Sequence, residues 1–227
     1  MHMTHNPGMD TNQKNDAKSG ALPGPWGLAV RIMIHPAGTL RRLSGLSEAG
    51  ALPSWPRVFL RLGVPLIVVS VLVSQWLYTV IPTGLPPEAM PDPWGFGVYS
   101  ALTMSIGVLG LAAGAHYMSE LFQGHSVPER AMLASIVGLI PAWWGNVIAA
   151  FPWPWGNVTG LALILSSLVL LYWSLRMIAG LRRGNRIGVF VAAVFCGLFV
   201  TLIFGWALMD LIPGAVPEHR MGTTWLI

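Results

Sequence analysis

His116 and Glu120 stand four residues apart, a spacing that sets two side chains on one helical face, and His125 and Glu129 follow just beyond. Imidazole and carboxylate so arranged could hold a divalent metal or relay a proton. A second constellation is Pro141, Trp143, Trp144 and Asn146 inside an otherwise apolar run. A proline within a membrane-buried helix leaves a carbonyl without its donor, and two indoles and an amide beside it could line a midplane pocket. Each group also has a plainer reading. His116 and Glu120 close an apolar run, where water reaches a helix end, and Pro141 to Asn146 is equally what a kinked, packed helix contains. Cys196 can form no internal disulfide and reads as a small packed residue. The chain carries no Gly-x-Ser-x-Gly elbow, no His-Glu-x-x-His helix and no glycine-rich phosphate loop. No catalytic residue is therefore assigned, no metal or other cofactor is expected, and the chain reads as non-enzymatic.

The elements that must position these residues are set by hydropathy. Apolar residues make up 54% of the 227 and charged residues 10%, against roughly 25% charged in soluble domains. Five apolar runs, Leu62–Ile81, Trp94–Ala115, Ala131–Phe151, Val158–Leu175 and Ile187–Met209, can each cross a bilayer at roughly 20 residues per crossing. The spacing predicts an all-α integral membrane protein, five transmembrane helices in a compact bundle. Cations sort along it. Lys14, Lys18, Arg31, Arg41, Arg42, Arg57 and Arg61 precede the first run, Arg130 follows the second, and Arg176, Arg182, Arg183 and Arg186 follow the fourth. Only Arg220 lies past the last run. Positive charge stays inside, which puts the N-terminus in the cytoplasm and the C-terminus outside.

Residues 1–24 are polar and lack the apolar run of a signal peptide; they read as a disordered cytoplasmic tail. Residues 25–50 form a short segment broken by Pro36, with Leu40 and Leu43 on one face and Arg41 and Arg42 beside them. That pattern predicts a helix lying at the cytoplasmic interface, with a cap packed under the bundle as the alternative. Residues 56–212 hold the five spans and 213–227 a short external tail. Trp76, Trp94, Trp153, Trp155 and Trp206 fall at the outer interface and Trp55 and Trp173 at the inner one, an aromatic belt. Gly110 and Gly114 stand four apart within the second span, a flat site for close helix packing. The spacings Gly156–Gly160 and Gly180–Gly184 repeat the pattern closer to span ends. No continuous basic face with interleaved aromatics is present, which excludes a nucleic-acid partner.

In order and local pattern, residues from Trp26 to Leu211 resemble the bacterial branch of the Yip domain family, five-span Ypt-interacting membrane proteins. The resemblance rests on a short apolar–basic helix ended by proline (Leu28 to Pro36), and on a small-residue turn restarting the third span (Leu121 to Arg130). It rests also on a proline within and after that span (Leu139-Ile-Pro-Ala-Trp143, Phe151-Pro152), and on Leu171 to Leu175 with Gly180 soon after. Where relatives carry Gly-Gly or Gly-Lys-Gly, this chain has Gln123-Gly124-His125. In eukaryotes the family implies trafficking proteins that bind small GTPases and membrane-shaping partners; it transfers no active-site residue here. The expected partners are membrane lipids and other membrane proteins or a second copy of the chain, in a bacterial cytoplasmic (inner) membrane. A permease built on Pro141, Trp143, Trp144 and Asn146 and a metal enzyme using His116, Glu120 and His125 are the alternatives. The scarcity of ionisable groups within the spans weighs against ion-coupled transport.

Overall fold

Proline marks where these helices begin. Pro25, Pro36, Pro93 and Pro128 each open a helix, and Pro56 follows the first residue of another. At such positions the missing N–H is no loss and the fixed φ suits the helix. The computed structural model describes residues 22–81, 92–122, 127–152, 154–181 and 184–215, and among them there is no strand. The elements are α1 (Pro25–Ile34), α2 (Pro36–Glu48), α3 (Trp55–Val80), α4 (Pro93–Leu121), α5 (Pro128–Ile148), α6 (Trp155–Met177) and α7 (Arg186–Leu211). Helices α3 to α7 are long and apolar enough to cross a membrane. This is a multi-pass, all-helical membrane fold.

Helix ends depart from the ends of apolar runs. α3 begins at Trp55 rather than Leu62, and α4 continues to Leu121 rather than stopping at Ala115. Arg57, Arg61, His116 and Glu120 interrupt the hydropathy but break no helix, because none of them lacks a donor or prefers extended backbone. Within α3, Phe59–Gly63 widens into a π-turn, with Val64 N–H bonded back to the Phe59 carbonyl. Pro65 explains the widening. It has no N–H for the Arg61 carbonyl four residues before it, and its ring would crowd that oxygen in a regular α-turn.

α5 is the centre of the bundle. Of its apolar stretch 72% is buried, against 44% in α3, 33% in α6, 22% in α4 and 17% in α7. Two antiparallel pairs dominate, α5 with α6 and α4 with α7, while α3 leans on both α4 and α5. Consecutive helices α6 and α7 scarcely meet. Glycine makes both seams. A Cβ on Gly138 would lie 2.6 Å from Leu171 Cα, and one on Gly145 would lie 2.8 Å from the Gly160 carbonyl. In the other pair, a Cβ on Gly110 would meet Val200 at 3.0 Å and one on Gly114 would meet Cys196 Cβ at 2.7 Å. Lipid offers no hydrophobic drive between helices, so dispersion at such short approach supplies the attraction.

A hydrogen bond also crosses the first seam. The buried Ser174 Oγ donates to the Ala134 carbonyl at 2.7 Å and to its own helix's Leu171 carbonyl at 2.9 Å. Both oxygens belong to α-helices and keep their backbone donors, so removing the hydroxyl strands nothing. Ser174→Ala should lower stability by only about 0.6 kcal/mol, as interhelical hydrogen bonds do in lipid. Unfolding of purified protein in mixed detergent measures it, and a loss well above about 1.7 kcal/mol would show the bond to be a keystone instead.

α1 and α2 cap one end of the bundle. α1 buries Leu28, Ala29 and Ile32 against α3 and α5 and leaves Trp26, Val30, Met33 and Ile34 exposed. After the break at His35, Thr39 Oγ1 donates to the carbonyls of His35 (2.9 Å) and Arg31 (3.2 Å), fixing the corner. α2 turns Leu40 and Leu43 inward, fully buried, which fits the cap for this helix, whereas α1 keeps an apolar side free. Ser44 Oγ donates to the Met177 carbonyl and Ser47 Oγ to that of Ile178, tying α2 to the end of α6. α2 closes in a Schellman turn: Gly50 at φ +67° lets Gly50 N–H reach the Ser47 carbonyl and Ala51 N–H that of Leu46.

Candidate functional site

Because α4 runs on past Ala115, His116 lies within its last turns rather than at a solvated end. Its Nε2 stands 3.6 Å from Glu120 Oε1, beyond hydrogen-bond distance. The two side chains differ in surroundings: Glu120 is 55% exposed and His116 18%. The His116 Nδ1 is buried with no hydrogen-bond partner among the described residues, and its ring lies 5.3 Å from that of Tyr117. His125 lies outside the described residues. Among the described residues no three His, Cys, Asp or Glu side chains gather as a metal site would need. His116 and Glu120 alone supply two ligands of different exposure, fewer than a zinc site uses.

The third-span residues separate. Pro141 and Trp143 are buried in α5, Trp144 is half-buried against the same core, and Asn146 is exposed. Pro141 and Trp143 therefore share the interior of the bundle, while the Asn146 amide faces away from it. Gly110 and Gly114 lie together on the α4 face that meets α7. Gly138 and Gly145, seven residues apart and so two turns along α5, do the equivalent work toward α6. Their spacing is the signal that could have found them.

Tryptophans flank the bundle at both ends. Trp76, Trp94, Trp155 and Trp206 are exposed at the end away from the cap, and Trp26, Trp55 and Trp173 are exposed at the capped end; Trp153 lies outside the described residues. The cations of the capped end also have structural duties. Arg130 Nη2 donates to the Ser47 carbonyl at 2.9 Å and Arg186 Nε to the Leu181 carbonyl at 2.9 Å. Asn185 Nδ2 reaches the Phe122 carbonyl at 2.7 Å. Charge counting alone reads Arg130 and Arg186 only as markers of sidedness, whereas here they also bond carbonyls where helices and connectors end.

α7 is locked to α4 along one side, and its other sides carry exposed Phe195, Leu198, Phe199, Leu202 and Trp206. Compared with protein-family models, curated proteins and solved structures, the chain has no match in any of the three.

Proposed function

We propose that this chain is a non-enzymatic five-span protein of a bacterial cytoplasmic membrane, with its N-terminus in the cytosol and its C-terminus outside. It acts by side-on contact with other membrane proteins or with its own copies, in the manner of the Yip-like proteins it resembles in pattern. The outer side of α7 carries this reading. That helix is the least buried of the five, yet it projects large aromatic side chains, and dispersion against a facing helix is what stabilises association in lipid. The sidedness is supported by the gathering of arginines at the capped end.

A photo-crosslinking amino acid placed at Phe199 in growing cells tests the contact. Discrete protein adducts are expected there, with far fewer from Leu165, an exposed position on α6. Lipid adducts alone at both positions, together with a monodisperse monomer in mild detergent, would remove the proposal. A phosphatase fused after Ile227 should be active only if that end is outside. A cytosol-dependent reporter working there would reverse the assigned orientation.

A further inference from the structure

The approach to α1 and the connector between α2 and α3 line, against the π-turn of α3, a half-open cavity of ≈ 580 Å³. That volume falls in the range of small-molecule sites, about 300–1,000 Å³. Its described walls are Leu, Pro, Gly and Ala, with a single charged side chain, Arg61. Much of the wall has no donor to offer. Pro23, Pro25 and Pro53 have no N–H, and the N–H groups of Gly50 and Ala51 are spent inside the Schellman turn. Arg130 and Arg186 satisfy carbonyls, but Arg61 meets no acceptor among the described residues. The one acid between residues 22 and 81 is Glu48, which accepts from Ser44 Oγ at 3.1 Å and is not among the described lining. Among the described residues, then, the guanidinium of Arg61 has no partner where it lines an otherwise uncharged cavity.

The level of the chamber matters as much as its chemistry. Arg61 and Leu62 lie where α3 enters its apolar stretch, with Leu60 exposed beside them. Trp55 near the start of α3 and Trp26 on α1 are exposed, and indoles concentrate at the headgroup layer. Val30 and Ile34 on α1 are exposed as well. Guanidinium binds phosphate oxygens two at a time, and an apolar wall suits the glycerol and first methylenes that a free phosphate lacks. We propose that this cavity holds the headgroup of one anionic glycerophospholipid, with Arg61 as the phosphate donor. The assignment rests on the reading of α3 as a span whose capped end lies at a headgroup layer, and it does not need the α7 contact.

Native mass spectrometry of the full chain, released from detergent containing phosphatidylglycerol or phosphatidylcholine, tests it. Phosphatidylglycerol should be retained and phosphatidylcholine held at least about fivefold less, the effect of one well-placed cation at a membrane surface. Arg61→Gln should weaken retention by about fivefold or more, while Arg57→Gln, one turn away and exposed, should not. Ala51→Trp should block the chamber with every arginine in place. Equal losses from Arg57→Gln and Arg61→Gln would reduce the effect to diffuse charge and overturn the site, as would unchanged binding in both Arg61→Gln and Ala51→Trp. Displacement of the lipid by inorganic phosphate would overturn the lipid as its occupant. A cytosolic C-terminus in the phosphatase fusion, or absent Phe199 adducts, would sink the preceding proposal while leaving these retention ratios to stand or fall alone.

Discussion

Gly138→Leu is expected to leave little folded protein in the membrane. A Cβ at this position would stand 2.6 Å from Leu171 Cα and 2.8 Å from Leu171 Cβ. Leu171 Cδ1, also at 2.6 Å, could swing away, but Cα and Cβ stay where they are in every rotamer, so no rotamer change relieves the clash. α5 and α6 would have to separate, and the Ser174 bond to Ala134, one turn away, would be lost with them. Overpacking a good core costs about 1–3 kcal/mol when neighbours can shift. Here they cannot, and the helix concerned is the most buried of the five. The loss should exceed that range and approach the whole stability of a small domain, about 5–15 kcal/mol. The readout is the fraction of chain in a single chromatographic peak after mild extraction. Gly27→Leu, where an added Cβ meets nothing within 4 Å, should behave as the parent. A normal yield and melting point for Gly138→Leu would mean that the α5–α6 seam is looser than its geometry implies.

Gly114→Leu should act differently, by detaching α7 while the rest holds. Its added carbons meet Cys196 Cβ at 2.7 Å and Ala193 Cα at 3.2 Å. α7 touches the bundle chiefly through α4, so wedging that seam loosens one helix without dismantling α5 and α6. The chain provides its own reporter, because Cys196 is its single cysteine. A loss of about 1–3 kcal/mol at this seam raises the population of the open form about 5- to 150-fold, and labelling by N-ethylmaleimide follows that population. The labelling rate of Cys196 should rise accordingly, while helical content by circular dichroism changes little. Labelling at the parent rate would place the α4–α7 contact elsewhere.

The spans were legible in the sequence because lipid crossing is a property of about twenty residues averaged together, and five such averages survive errors at single positions. Helix ends were not. His116 marks where apolarity stops, but a helix needs donors and acceptors rather than oil, so α4 carries that histidine under partial cover instead of into water. The π-turn had one trace, Pro65, whose effect depends on what surrounds it. The spacing of Gly110 and Gly114 identifies a face but not the helix that meets it, because a flat surface fits any partner that comes close. For the same reason Pro141, Trp143 and Asn146 looked like a group along the chain yet divide between the interior and the outside of α5. The Arg61 chamber was invisible from sequence, since its walls come from three stretches brought together only by the cap.

The pairing of α4 with α7 across two intervening helices sets a timetable for biogenesis. As the chain leaves the ribosome, the groove of Gly110 and Gly114 is finished long before the helix that fills it has been made. During that interval α4 has one side vacant in the bilayer, and a chain cut short before Arg186 would keep it vacant for good. Such a fragment offers a ready cradle to any passing helix with small residues, so premature termination should yield sticky products rather than merely incomplete ones.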